Sequence, residues 1–194
     1  MFRNSLIYCS IVSSLFSSIG PQGFHPYKNR VFVETGSYKG EGIKKALEAG
    51  FDEVYSVENY FPFFSKLTVK FRKYPNVKLF HGDSAYILRA LIEKIHEPIT
   101  FWLDAHNVCE NRENPWIRNS PLLEELEQIK QHPIKNHKIL IDDMDLSGGY
   151  LFDGATIEQI KMKIFEINPS YSIKFIDGGF DGRYRENILV AQVL

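Results

Sequence analysis

The sequence predicts an α/β domain: a doubly wound sheet of seven strands, mostly parallel, with an antiparallel pair at its C-terminal end. Three observations predict it. From Arg30 onward, short apolar or β-branched runs alternate with stretches of helical periodicity, the pattern of a parallel sheet covered on both faces. The run Val31-Phe32-Val33 leads through the turn Gly36-Ser37-Tyr38-Lys39-Gly40-Glu41-Gly42 into a helix whose Ile43, Ala46, Leu47 and Ala49 share a face up to Gly50. The last two runs, 171–176 and 188–193, are joined by a connection too short for a crossover helix, so they pair antiparallel.

The other elements follow in order. Val54-Tyr55-Ser56-Val57 is a second strand, ending at Glu58. Phe63, Phe64, Leu67 and Phe71 form a helical stripe before Pro75, and 77–80 is a short strand ending at His81-Gly82-Asp83-Ser84. Leu88, Leu91, Ile92 and Ile95 stand at i, i+3, i+4 and i+7, a further helix. Residues 100–103 form a strand ending at Asp104. Ser120-Pro121 reads as an N-cap and N1 pair opening a helix that turns Leu122, Leu123, Leu126 and Ile129 inward. Residues 138–141 form a strand ending at Asp142-Asp143. Ile157, Ile160, Ile164 and Ile167 mark the last helix, stopped by Pro169.

Composition bounds the class. A chain of 194 residues suits one domain with a sizeable core, and 44% hydrophobic against 24% charged residues excludes a disordered chain. A net charge of −1 gives no general pull toward nucleic acid or an anionic membrane. Cys9 and Cys109 have no metal-ligand spacing and are expected as reduced thiols of a cytoplasmic protein, a single disulfide between them being the alternative. Residues 1–29 are expected to be an N-terminal helix and a linker, and 30–194 the functional domain. The first twenty residues loosely resemble a signal peptide, but no A-x-A-type cleavage site follows, and the apolar run is too short and too polar to span a bilayer. Leu6, Val12, Leu15, Phe16 and Ile19 are expected to pack on the domain or over its ligand.

One regularity carries the functional argument. The first five strands end at or just before a carboxylate: Glu34, Glu58, Asp83, Asp104 and Asp142. In an open parallel sheet these ends share the edge where ligands bind. Converging carboxylates repel and are costly to desolvate, so they persist where they meet hydroxyls, amines or a cation. The plainer reading, acids that cap the following helices, accounts for Asp83 or Glu34 singly better than for the set. The turn places backbone N–H groups and a helix N-terminus beside one ligand group. Its glycines do not follow G-x-G-x-x-G, and Glu58, about 20 residues further on, stands where such units hold ribose hydroxyls.

The order of elements, the ETGSYKGEG turn, Glu58, GDS at 82–84, FWLDAH at 101–106 and ILIDDMD at 139–145 together resemble the class I S-adenosylmethionine-dependent methyltransferases, Rossmann-like proteins whose sheet ends in an antiparallel pair. The paired strand ends FWLDAH and LIDDM resemble the metal-dependent O-methyltransferases acting on macrolide sugars and catechols. The turn departs from the commoner E/D-x-G-x-G-x-G at Tyr38 and Lys39.

The resemblance implies roles. Glu34, Thr35, Gly36, Ser37, Tyr38 and Gly40 would form the bed of the methionine part of S-adenosylmethionine, Glu58 with Asn59 would hold the ribose, and Asp83 with Ser84 would face adenine, with Asp104 adjoining the cofactor. Asp104, Asp142 and Asp143 would be three oxygen ligands of a divalent ion, an oxygen set that suits Mg²⁺ better than zinc. The ion would acidify an acceptor hydroxyl. His106, beside Asp104, is the candidate base, with His137 and His81 weaker ones. The implied activity is O-methylation of a small hydroxylated, sugar-like acceptor, and the resemblance admits a homodimer. The polar stretch 107–119, with Arg112, Trp116 and Arg118, would select the acceptor. The rivals are an NAD-dependent oxidoreductase, which the glycine spacing and the extra acids at 104 and 142–143 disfavour, and a non-catalytic binding protein on the same fold.

Overall fold

A computed structural model describes residue 19 and residues 22–106, 119–179 and 184–194, with backbone alone at 184 and 185. The expectations for residues 1–18, for Cys109 and for Arg112, Trp116 and Arg118 lie outside the described residues. Seven strands form one sheet: β1 (Val31–Thr35), β2 (Glu53–Glu58), β3 (Val77–His81), β4 (Ile99–Leu103), β5 (Lys138–Ile141), β6 (Tyr171–Gly178) and β7 (Tyr184–Val193), in the order β3-β2-β1-β4-β5-β7-β6. The first five are parallel, and β7 runs antiparallel to both β5 and β6. The winding reverses at β1, whose neighbours are β2 and β4. Crossovers on the two sides of β1 therefore lie on opposite faces, and a crevice opens at its C-terminal end.

Helices α1 (Glu41–Glu48) and α2 (Phe61–Lys70) cover one face, where Ile43, Ala46, Leu67 and the residue Phe71 just beyond α2 pack with Phe32, Val54, Trp102 and Leu140. Helices α3 (Ser84–Ile92), α4 (Leu122–Lys130) and α5 (Ile157–Ile167) cover the other, with Leu88, Ile92, Leu126, Ile129, Ile160 and Ile164 on Val31, Val33, Phe101 and Ile139. Strands β1 and β4 are buried at every position, as continuous apolar runs require. The stretch before β1 also enters the core: Phe24 is fully buried, with its ring centroid 5.3 Å from Trp102 and 4.8 Å from Phe32. Ile19 is buried as well and bridges to Gly178 at the end of β6, while Lys45 of α1 donates to its carbonyl at 2.8 Å.

Two local readings are refined. Helix α4 begins at Leu122, one residue later than the Ser120-Pro121 spacing suggests; Ser120 Oγ accepts from Leu122 N at 3.3 Å. Phe63 and Phe64 of α2 are only half-buried. Phe63 packs edge-on to Tyr38, and Phe64 lies beside His81, each ring 4.8–5.2 Å from its partner. Among the described residues no helix is long and apolar enough to cross a membrane.

The turn after β1 is held by backbone bonds from Gly36 N and Ser37 N to the Val57 carbonyl, and from Asp104 N to the Thr35 carbonyl. Gly36 has φ +81°, and a Cβ there would overlap the backbone carbonyl of Asp104. Substitution by alanine thus carries both a left-handed backbone cost and an overpacking cost. We expect Gly36→Ala to lose about 3 kcal/mol of unfolding free energy. Urea denaturation followed by circular dichroism reads this, and an unshifted midpoint would show that the β1 turn and β4 do not meet as described.

Candidate active site

The five strand-end carboxylates meet different environments along one sheet edge. Glu34, at 1% exposure, lies under the first turn of α1, where a Cβ at Gly42 would overlap its carboxylate. Ser56, its register partner on β2, donates to Glu34 Oε2 and shares a 2.5 Å hydrogen bond with Ser37 Oγ. Burial pushes the Glu34 carboxyl up to about 8 against the Ser56 hydrogen bond, with Asp104 and Glu58 adding repulsion. Glu34 thus supports the turn from beneath, through Ser56 and Ser37.

Glu58 accepts from Tyr38 N at Oε2 and from Tyr60 N at Oε1, both at 2.7 Å. Burial raises its pKa, and the two amides oppose the rise. Each carboxylate oxygen has two acceptor positions, more than these amides occupy. Tyr38 reaches Glu58 with a left-handed backbone, φ +46°. Asn59 is exposed, and its carbonyl lies 3.1 Å from His81 Nε2. Thr35 is buried.

Asp83 is the N-cap of α3 and accepts from Ala85 N at 2.9 Å; Ser84 behind it is buried. The helix-capping role therefore holds for this acid. His137 precedes β5, at the opposite edge of the sheet. There it accepts from Ile99 N at 3.0 Å and lies 3.1 Å from His132. Burial, with His132 adding, holds its imidazole down at about 3, so it is a neutral core histidine far from the strand ends.

At the β4 and β5 ends the structure brings together Asp104, His106 and Asp143, whose ligand atoms all lie within 4.8 Å of one another. His106 Nε2 is 3.0 Å from Asp143 Oδ2, and Nδ1 is 3.6 Å from Asp104 Oδ1. Phe152 stacks on the imidazole, with centroids 5.2 Å apart and planes at 26°. Burial lowers the His106 pKa, but the Asp143 hydrogen bond and the charges of Asp104, Asp143 and Asp145 outweigh it and hold it above its usual value. Both ring nitrogens face carboxylates, whereas a general base needs one of them open to the acceptor. Asp142 stands behind this group, fully buried, and Oδ1 accepts from the Asp143 amide at 2.9 Å. Burial, Asp104 and Asp143 push the Asp142 carboxyl well up. Asp142 Oδ2 and Asp143 Oδ1 are buried without a hydrogen-bond partner among the described residues. Two ionised carboxylates about 5 Å apart repel by about 3 kcal/mol at an effective dielectric near 20, so a proton or a cation belongs in this cluster.

The sequence reading did not single out Ser56 or Glu125. Glu125 falls on the apolar stripe of α4 with Leu122, Leu126 and Ile129, and this is the signal that marks it. It is 1% exposed, and burial pushes its carboxyl up to about 7. The register of β1 and β2, which pairs Glu34 with Ser56, would have marked Ser56. Asp153 accepts from Asn119 N, Asn119 Nδ2 and Ser120 N at 2.8–3.1 Å, tying the entry to α4 to the segment that carries Phe152.

No protein-family model matches the chain, and no curated protein does. Solved structures do. The O-methyltransferase of Bacillus cereus, in complex with SAH, has a TM-score of 0.62 at 13% identity, with 98% of this chain and 89% of that one covered. TomG of Streptomyces achromogenes, an O-methyltransferase involved in tomaymycin synthesis and in complex with SAM, has a TM-score of 0.62 at 14% identity, covering 98% and 89%. SAH-bound PaMTH1 of Podospora anserina has a TM-score of 0.56 at 14% identity, covering 88% and 74%. The chain shares its fold with these methyltransferase structures. On this methyltransferase fold, the turn after β1 and Glu58 occupy the switch-point crevice, and the Asp104–His106–Asp143 group lies beside it.

The pKa of Glu34 gives a pH signature. Its folded value near 8 lies above the unfolded carboxylate value near 4.5, so the folded chain holds a proton that the unfolded chain has lost. The stability it contributes is complete below pH 4.5 and is lost as pH rises through 8. Glu34→Gln removes this dependence. The unfolding free energy of the variant relative to wild type should therefore climb by a few kcal/mol between pH 5 and 8.5. Denaturant titrations at the two pH values test it, and a pH-independent difference would show that Glu34 is ionised in the fold.

Proposed function

We propose that the protein is an S-adenosylmethionine-dependent methyltransferase that methylates a hydroxyl oxygen of a small, sugar-like acceptor, assisted by a divalent cation. The observation that carries this reading is the double position of Asp104. Its backbone carbonyl packs on Gly36 of the turn, and its carboxylate belongs to the cluster with His106 and Asp143. A cofactor held by the turn and an acceptor held by the cluster would therefore meet at one residue.

The residues present fit both groups. Glu58, pinned by two amides, presents acceptor positions suited to the two hydroxyls of a ribose. The close approach of Gly36 to β4 lets the methionine tail lie against backbone, and Glu34, Ser56 and Ser37 stiffen the turn beneath it. The cluster holds carboxylate oxygens and an imidazole nitrogen around a point of concentrated negative charge, a donor set suited to a divalent ion. When bound, the cofactor supplies an electrophilic methyl group on sulfur, and the cation supplies a Lewis acid. For the acceptor oxygen to take that methyl group, with the sulfur leaving as a thioether, the hydroxyl proton would have to leave toward the carboxylates of this cluster. Asp104 would orient that oxygen next to the turn, and the carboxylates of Asp104 and Asp143 would supply the negative field that draws the proton away. Loss of the proton to this cluster matters because an aliphatic hydroxyl is a weak nucleophile at neutral pH.

Calorimetric titration tests the cofactor half of the reading. Wild type should bind S-adenosylmethionine or its demethylated product. Glu58→Gln, which keeps the shape of the side chain and removes its charge, should weaken binding by roughly 10- to 100-fold, the worth of charge-assisted hydrogen bonds. Mass spectrometry of the natively purified protein gives an independent check. A retained nicotinamide, or tight NAD binding with none of S-adenosylmethionine, would replace the methyltransferase by an oxidoreductase. Cofactor binding without turnover on any polyol would leave a binding protein.

A further inference from the structure

We propose that His106 is a metal ligand, and that the ion it selects is a first-row transition ion in preference to Mg²⁺. The inference rests on the reading of a divalent cation at the β4–β5 ends and names the chemical class of that ion.

The geometry points to an imidazole in the coordination sphere. Ligand atoms bound at about 2.1 Å to one ion lie roughly 3–4 Å from one another, and His106 Nε2 is 3.0 Å from Asp143 Oδ2. One atom each from Asp104, His106 and Asp143 falls within 4.8 Å of the others, a span that closes on a shared ion by small rotations. A second, independent observation comes from the oxygens. Asp143 Oδ1 is buried and without a hydrogen-bond partner among the described residues, although Oδ2 of the same carboxylate is engaged. A buried carboxylate oxygen without a donor is costly to maintain, and a cation removes that cost. The ring sits between the two other members of the cluster, Nε2 toward Asp143 and Nδ1 toward Asp104, while Phe152 fixes its plane from the side.

The donor set then chooses the ion. Mg²⁺ favours near-ideal octahedral oxygen coordination and gives up its water reluctantly, so a nitrogen ligand from a rigid, stacked ring is a poor match. Imidazole beside two carboxylates suits iron, cobalt, nickel or zinc in the divalent state. Three protein ligands leave positions open for an acceptor oxygen. Three oxygen ligands at 104, 142 and 143, as the sequence resemblance implies, would favour Mg²⁺; the exchange of Asp142 for His106 in the cluster reverses that preference.

The test uses the full chain, with Co²⁺ and Mg²⁺ as probes in calorimetric titrations of wild type and His106→Asn. Wild type should bind Co²⁺ at least 10-fold more tightly than Mg²⁺, and the variant should lose at least 10-fold for Co²⁺ while its Mg²⁺ affinity moves less than 3-fold. The loss of preference is the decisive reading, since Co²⁺ exceeds Mg²⁺ at most mixed sites. If His106→Asn fails to fold, a second measurement on wild type decides. On ¹⁵N-histidine protein, Zn²⁺ should shift a ring nitrogen of His106 and leave those of His132 and His137 in place. An undiminished Co²⁺ preference in the variant, or an unshifted His106 ring, removes His106 from the metal and leaves the cation reading standing. Absence of binding by all three ions overturns both, while S-adenosylmethionine binding, measured separately, still reports on the methyltransferase.

Discussion

The approach of Gly36 to the backbone carbonyl of Asp104 sets the geometry on which the rest of the edge depends. It brings the end of β1 against the end of β4 at the place where the winding of the sheet reverses. Only a residue without a Cβ, in a left-handed conformation, permits it. Once that contact is made, the turn after β1 must bend toward β2, where the Val57 carbonyl and the Glu58 carboxylate receive its amides. The cluster at the β4 and β5 ends is then placed alongside. Two chemically different halves of one site are joined through main chain, which deforms far less than side chains do.

The acids along this edge survive burial by different means. Asp83 is compensated by a helix N-terminus, Glu58 by two loop amides, and Glu34 by a hydroxyl and by keeping its proton. Asp143 has His106, and Asp142 has a single amide and a strongly raised pKa. The series runs from acids already satisfied, at β3, to acids still in need of positive charge, at β4 and β5. A ligand that carries positive charge is favoured at the second end and gains little at the first. This gradient, rather than the number of acids, distinguishes a functional edge from a row of helix caps.

The sheet was legible in the sequence because each strand is a run of apolar or β-branched residues bounded by glycine, proline or an acid. The parallel order needed only the alternation with helices. The strand-end acids were legible for the same reason: they are where the runs stop. What the sequence could not show is which neighbour each acid meets. His106 was read as a base because it follows Asp104 by two residues; only the fold reveals Asp143 on its other side and Phe152 against its face. Phe152 lies 46 residues along the chain in a glycine-rich segment with no periodicity, so no local pattern could link it to His106. Glu125 was legible in principle as a charge on an apolar helical stripe. Phe24 was hidden in a stretch whose prolines and glycines read as a linker, yet it fills a gap beside Trp102.

Asp143 carries a further consequence through its backbone. At φ +54° it is one of few non-glycine residues in the left-handed region, and short polar side chains such as Asp and Asn tolerate that conformation best. Aspartate, asparagine and glycine are therefore favoured at this position, and β-branched residues are disfavoured. Within that set the step from aspartate to asparagine changes charge without changing shape. Related chains could thus move by one unit of charge at the cluster with the main chain undisturbed, whereas an alanine or a β-branched residue would strain the end of β5 before any chemistry was affected. The left-handed residue works as a filter on sequence variation: it favours a short polar side chain at the end of β5 while leaving its charge adjustable.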